Sequence, residues 1–154
     1  MTEHIKFYSR FITEKGGELL VPAPHRQFSN FWHAPIYLNK KWWNSVEHYY
    51  QAHKSLDPED QERIRNLQWA SEAKKAGRHV KLREDWEEVK EDIMLKALRD
   101  KFSRYKRLKE SLLATGDAIL HEDSPTDMYW GIKGKDRLGA LLMQVRDELR
   151  EKGE

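Results

Sequence analysis

Apolar and polar residues alternate near the start of the chain and recur every three or four residues after about position 57. Ile5, Phe7, Ser9 and Phe11 interleave with Lys6, Tyr8 and Arg10, the period-two pattern of a strand. Gly16-Gly17 breaks it, and Val21-Pro22-Ala23-Pro24 reads as a turn-rich connection. Residues 35–38 and 41–43 flank Asn39-Lys40, which predicts a small hairpin. Asn44 and Glu47 have the spacing of a capping box for a short helix, with Val46, Tyr49, Ala52 and Leu56 as its core face. A second helix is capped by Asp57 with Pro58 at its first position, carries Ile64 and Leu67, and stops at Gly77. Trp86, Val89, Ile93 and Ala97 mark a third, ending near Phe102. Ser103 would cap a fourth, with Leu108 and Leu112 inside and Gly116 closing it. Ala118-Ile119-Leu120 predicts a buried strand. Leu138, Leu141, Leu142, Val145 and Leu149 then form the clearest amphipathic helix, with its N-cap at Asp136 or a neighbour. The pattern predicts a mainly α (α+β) fold, one helix-dominated domain over residues 1–154 with a small N-terminal β element.

Composition narrows the chemistry. Charged residues make up 35% of the 154 and hydrophobic ones 38%, so the core depends on a few large side chains, six Trp among them. A net charge of +2 is too balanced to indicate a nucleic-acid protein by charge alone. With no Cys there is no disulfide, thiol nucleophile or Cys-based metal site. No apolar run reaches membrane-spanning length and the start lacks a signal-peptide core, so a cytoplasmic protein is expected. His48 and His53 lack ligand spacing with acidic partners, and no metal is expected.

Two stretches carry candidate chemistry. At 100° per residue, Glu47, Gln51 and Lys54 share one sector of the short helix, with Tyr50 at its edge. That lines up an acid, an amide and an amine; a cap followed by a solvated stripe is the plain alternative. The second stretch runs from His121 to Gly139, with three Gly, two Lys and one Arg before the last helix. Backbone amides and a helix N-terminus there would suit an anion, although a polar connecting loop explains the same residues. Its spacing matches neither the nucleotide-triphosphate P-loop nor the dinucleotide fingerprint, and no cofactor is expected.

Taken together, Phe28-Ser29-Asn30-Phe31, Ser45-Val46-Glu47-His48-Tyr49, Gln51-Ala52 with Lys54, Gly77-Arg78, Arg83 with Trp86, Lys101-Phe102, Tyr129-Trp130-Gly131 and Arg137-Leu138-Gly139 resemble the NADAR (YbiA-like) family. The resemblance holds in register from Phe7-Tyr8 to Arg146, with a shorter loop between Trp130 and Arg137 than many relatives have. It implies a mostly helical enzyme that cleaves a ribosyl C–N bond. One form of that activity removes ADP-ribose from modified guanine, DNA included. Another hydrolyses phosphoribosylamino-pyrimidine intermediates of riboflavin synthesis. A module that binds ADP-ribose or a nucleotide without turnover is the alternative outside catalysis.

The resemblance also implies site residues. Glu47 matches the essential glutamate, which could stabilise an oxocarbenium-like C1, activate water or protonate the leaving base. Asp127 would be a second carboxylate, with a turn role as its alternative. Lys54 would hold a phosphate or ribose oxygen, or form a Schiff base with an opened ribose. Trp86 and Trp130 would offer stacking surfaces, with core packing an equally good account of Trp86. Arg78, Lys135 and Arg137 would take phosphate, and Phe28, Asn30, Tyr50, Gln51 and Gly131 complete the substrate-binding set. The expected partner is a small-molecule or nucleic-acid-attached ADP-ribosyl or phosphoribosyl substrate, not a membrane.

Overall fold

The strands pair two by two and the helices supply the mass. The computed structural model describes residues 2–8, 11–13, 20–22 and 25–153. Its strands are β1 (His4–Phe7), β2 (Phe11–Thr13), β3 (Leu20–Pro22), β4 (Ile36–Leu38), β5 (Lys41–Trp43) and β6 (Ile119–Glu122). Its helices are α1 (Val46–Ala52), α2 (Pro58–Arg65), α3 (Ala70–Gly77), α4 (Trp86–Arg104), α5 (Lys106–Leu113) and α6 (Arg137–Gly153), with a 3-10 turn at Arg26–Phe28. The fold is mainly α within an α+β architecture, as the periodicity predicts. These residues gather into two compact units, one of 1–29 with 106–154 and one of 30–105.

In the first unit β1 and β6 run parallel, with His4 opposite Ile119 and Phe7 opposite Glu122. β2 and β3 form an antiparallel pair. The single strand expected through Phe11 is thus two strands, and Val21-Pro22 lies in β3 rather than in a turn. Gly16-Gly17 and Ala23-Pro24 fall outside the described residues. Leu138, Leu141, Leu142, Val145 and Leu149 are buried along α6, which packs on β6 and α5. Phe7 meets Phe28 edge to face at 6.0 Å between ring centres. Arg146 is buried in this core, where its guanidinium donates to Thr115 Oγ1 at 2.9 Å and to the Ala118 carbonyl at 2.8 Å.

In the second unit β4 and β5 make the expected hairpin, with Asn39 and Lys40 both at positive φ, the geometry a two-residue turn between twisted strands requires. α2 begins as predicted, with Asp57 Oδ1 accepting from the Glu59 N–H at 2.9 Å. It does not run to Gly77. The chain breaks after Arg65 and restarts as α3, because the Leu67 carbonyl turns away to accept from His48 Nε2 at 2.9 Å. α4 is longer than expected and contains Ser103, so Ser103 caps nothing; α5 begins beyond Tyr105.

Lys101 of α4 is fully buried, and burial holds its amine down to about 7. The folded protein therefore lacks a proton that the unfolded chain carries between that value and the ordinary lysine range. Stability should rise as pH increases from about 7 to about 10, and Lys101→Met should abolish that rise. Urea midpoints measured across the window test this; parallel curves for the two proteins would show that Lys101 folds as an ammonium.

Candidate active site

α1 is seven residues long and every one of them is buried. Helices α2, α3 and α4 and strand β5 pack around it. The sector carrying Glu47 and Gln51 is accordingly not a solvated stripe: Glu47 is 6% exposed and Gln51 4%. Nor is Asn44 the cap. Ser45 holds that position, and its Oγ accepts from the His48 N–H at 3.2 Å. Asn44 Nδ2 instead reaches the Leu67 carbonyl at 3.4 Å. Leu56, expected on the core face, lies beyond the helix and is 65% exposed.

The Glu47 carboxylate thus has no capping duty. Gln51 Nε2, one turn along, donates to Glu47 Oε2 at 2.7 Å. The Glu47 backbone N–H donates to the Asn30 carbonyl at 3.1 Å, which pins Asn30 beside the start of the helix. The Asn30 side chain is buried; its Nδ2 meets the weak acceptor Met94 Sδ at 3.4 Å, and its Oδ1 has no donor. Such an orphaned acceptor is costly unless something else supplies the hydrogen.

Lys54 follows α1 in a turn. Its Nζ lies 5.8 Å from the Tyr50 ring centre and 5.9 Å from that of Trp86. Those two rings pack at 5.0 Å, tilted by 58°. Trp86 opens α4 and is buried against Tyr50. The Arg83 N–H donates to the Lys54 carbonyl at 2.8 Å and fixes the turn. Arg78, just past α3, is exposed. His48 and His53 are structural. His48 bridges Ser45 Oγ at 2.7 Å and Leu67, while His53 joins the Tyr49 carbonyl at 2.6 Å to Asn39 at 3.0 Å. Burial lowers the pKa of both imidazoles.

The first unit gathers the remaining candidates in one loop. Asp127 Oδ1 accepts from the N–H groups of Tyr129 at 3.0 Å and Trp130 at 2.8 Å, a turn-shaping role. Trp130 is buried, with Tyr129 edge-on at 4.8 Å. Lys135 is exposed, its Nζ 5.5 Å from the Tyr129 ring centre. Most amides of the expected anion-binding nest are already paired within the protein. The N–H groups of Gly131, Ile132, Gly134, Lys135, Asp136, Arg137 and Leu138 all donate to carbonyls of this unit. Asp136 does not cap α6 through its carboxylate; Oδ2 meets His121 Nδ1 at 2.5 Å, and His121 Nε2 faces His4 Nδ1 at 2.9 Å. The Lys135 and Arg137 side chains remain the candidates for a phosphate contact here. Phe28 is wholly buried in the core of this unit.

Sequence reasoning missed Ser45 as the cap, the His4–His121–Asp136 chain and the space at Gly77. The signal for the first was present, since Ser45 precedes His48 by three residues just as Asn44 precedes Glu47. Among the described residues, no three His, Asp or Glu side chains are placed to hold a metal, and no helix is long and apolar enough to cross a membrane.

These features define a helix-rich α+β protein with a buried, amide-held carboxylate on α1 and, in the turn that follows it, an amine 5.8 and 5.9 Å from the centres of two aromatic rings. The chain belongs to the NADAR family: the NADAR domain model matches residues 11–150. It is 46% identical over 128 residues to the N-glycosidase YbiA of Escherichia coli K12, covering 79% of this chain and 80% of that one. An NMR structure of the E. coli protein superposes with a TM-score of 0.81 at 41% identity, covering 99% of this chain and 88% of that one. An N-glycosidase of Nostoc punctiforme is 41% identical over 136 residues, covering 82% and 87%. A riboflavin biosynthesis protein of Vibrio vulnificus is 37% identical over 133 residues, covering 82% of this chain and 36% of that longer one.

Proposed function

We propose that this chain is a hydrolase of N-glycosyl compounds that cleaves a ribosyl C–N bond, with Glu47 as the carboxylate serving the reacting carbon. The observation that carries the reading is a buried carboxylate held by Gln51 rather than spent on a cap. The N-glycosidase names of its relatives support the reaction class. In the reaction the C–N bond breaks with its electron pair leaving on the base. Water adds to C1, and one proton of that water ends on the departing nitrogen. A carboxylate beside C1 stabilises the positive charge that develops there and accepts the proton of the incoming water. The Asn30 Oδ1 that lacks a donor would be satisfied by a ribose hydroxyl.

The substrate we favour is ADP-ribose attached to guanine. Lys54 supports a phosphorylated ligand. Two aromatic faces lie within about 6 Å of its amine and attract a positive charge there, which suits a contact to a phosphate oxygen. Lys54→Arg should therefore raise KM several-fold and leave kcat within about tenfold, because the positive charge is kept. Borohydride added during turnover should leave the protein unlabelled; a covalent adduct on Lys54 would establish Schiff-base chemistry instead.

The riboflavin biosynthesis name of the Vibrio relative supports a second substrate, a phosphoribosylamino-pyrimidine. Incubating the protein separately with ADP-ribosylated guanine DNA and with that pyrimidine, and weighing the products by mass spectrometry, decides between them. Release of neither base would remove the hydrolase reading.

A further inference from the structure

Gly77 closes α3 in ordinary helical backbone; positive φ among the described glycines belongs to Gly116. A helical position without such a φ would ordinarily favour alanine. The reason for glycine is space. A Cβ on Gly77 would lie 1.9 Å from Gln51 Oε1 and 2.9 Å from its Cδ, and the nearest atoms it would meet all belong to the Gln51 side chain. The Gln51 amide oxygen therefore occupies the place a side chain at position 77 would take, and there Oε1 is buried without a hydrogen-bond partner. Turning the amide over would satisfy nothing: Oε1 would then face Glu47 Oε2, acceptor against acceptor. The orphaned oxygen is the counterpart of aiming Nε2 at the carboxylate, 2.7 Å away.

We infer that Gly77 is a positioning residue, whose missing side chain seats Gln51 so that the amide fixes the Glu47 carboxylate. The inference rests on the proposed role of Glu47. Gln51 acts through Glu47, and Gly77 through Gln51; neither needs to touch the substrate. A side chain at position 77 displaces the amide, and the carboxylate loses both its orientation and a donor that favours its ionised form.

The test is a cycle of Gly77→Ala, Gln51→Ala and their double variant, with Glu47→Gln alongside, each followed by steady-state kinetics across pH. Gly77→Ala should lower kcat roughly tenfold or more, with a smaller change in KM. The acidic limb of its kcat profile should move to higher pH. The double variant should be little worse than Gln51→Ala, because the amide that a methyl at position 77 would strike is gone and only the Cβ of residue 51, 3.2 Å away, remains. Should Gly77→Ala alone fail to fold, recovery of the fold in the double variant is the result expected of a seat. A double variant that also fails, or that shows the product of the two single losses, overturns the inference, as does Gly77→Ala with unchanged kcat and pH profile. Near-normal turnover by Glu47→Gln overturns the site reading itself. Impaired Glu47→Gln beside an unaffected Gly77→Ala removes only the role of Gly77.

Discussion

Glu47→Gln is expected to lower kcat by roughly 10²-fold or more, the scale on which a positioned acid–base group contributes. The substitution keeps the shape of the side chain and removes both its charge and its titratable proton. The fold should tolerate it. Ser45 caps α1, so no cap is lost, and the bond from the Glu47 backbone to Asn30 does not involve the side chain. Gln51 Nε2 can still donate to an amide oxygen, which limits the stability change to about 1 kcal/mol. Substrate affinity should persist, since Asn30, Lys54 and the Tyr50–Trp86 pair are untouched. Chemical denaturation, ligand titration and steady-state kinetics on one preparation separate the three effects. A variant that binds, folds and turns over like the parent would remove Glu47 from the chemistry.

Gly139→Ala should cost about 3 kcal/mol or more of stability, because the obstruction is backbone. In the first turn of α6, a Cβ here would stand 1.7 Å from the Leu120 carbonyl oxygen and 2.6 Å from its carbon. No rotamer relieves such a contact; helix and strand must separate, and Leu138, Leu141 and Leu142 move with the helix. Gly153→Ala is the matched control at the other end of α6, where a Cβ meets nothing within 4 Å. It should change stability by a few tenths of a kcal/mol at most. Equal melting temperatures for the two variants would mean that α6 is not seated on β6 as described.

Local signals were legible where local physics decides. Asp57-Pro58 started a helix where predicted, Asn39-Lys40 turned a hairpin, and the leucines of α6 faced a core. What could not be read depends on partners far along the chain. The interruption between α2 and α3 comes from His48 drawing on the Leu67 carbonyl, which no helical periodicity encodes. A solvated stripe was the plain alternative for the polar sector of α1, because an amphipathic reading leaves one side to water, whereas every residue of α1 is buried. Gly131, Gly134 and Gly139 suggested an anion loop, yet a Cβ at each would strike a backbone carbonyl. Glycine serves close backbone approach as well as ligand binding, and sequence alone does not separate the two. Glu47 and Lys54 were found through the family resemblance as much as through their spacing. Gly77 was visible only as a helix stop.

The unit that contains β1 is assembled from both ends of the chain, while residues 30–105 form their own unit without interruption. His4 cannot meet Ile119 until that whole middle segment has been synthesised. On the ribosome the middle unit can therefore complete itself first, whereas β1 emerges early and waits as an unpaired strand edge. The α6 residues that cover β6 follow it in the chain and arrive later still. The interval before β6 and α6 emerge is the period in which the nascent chain has most need of a chaperone, and slowing translation there would lengthen that exposure.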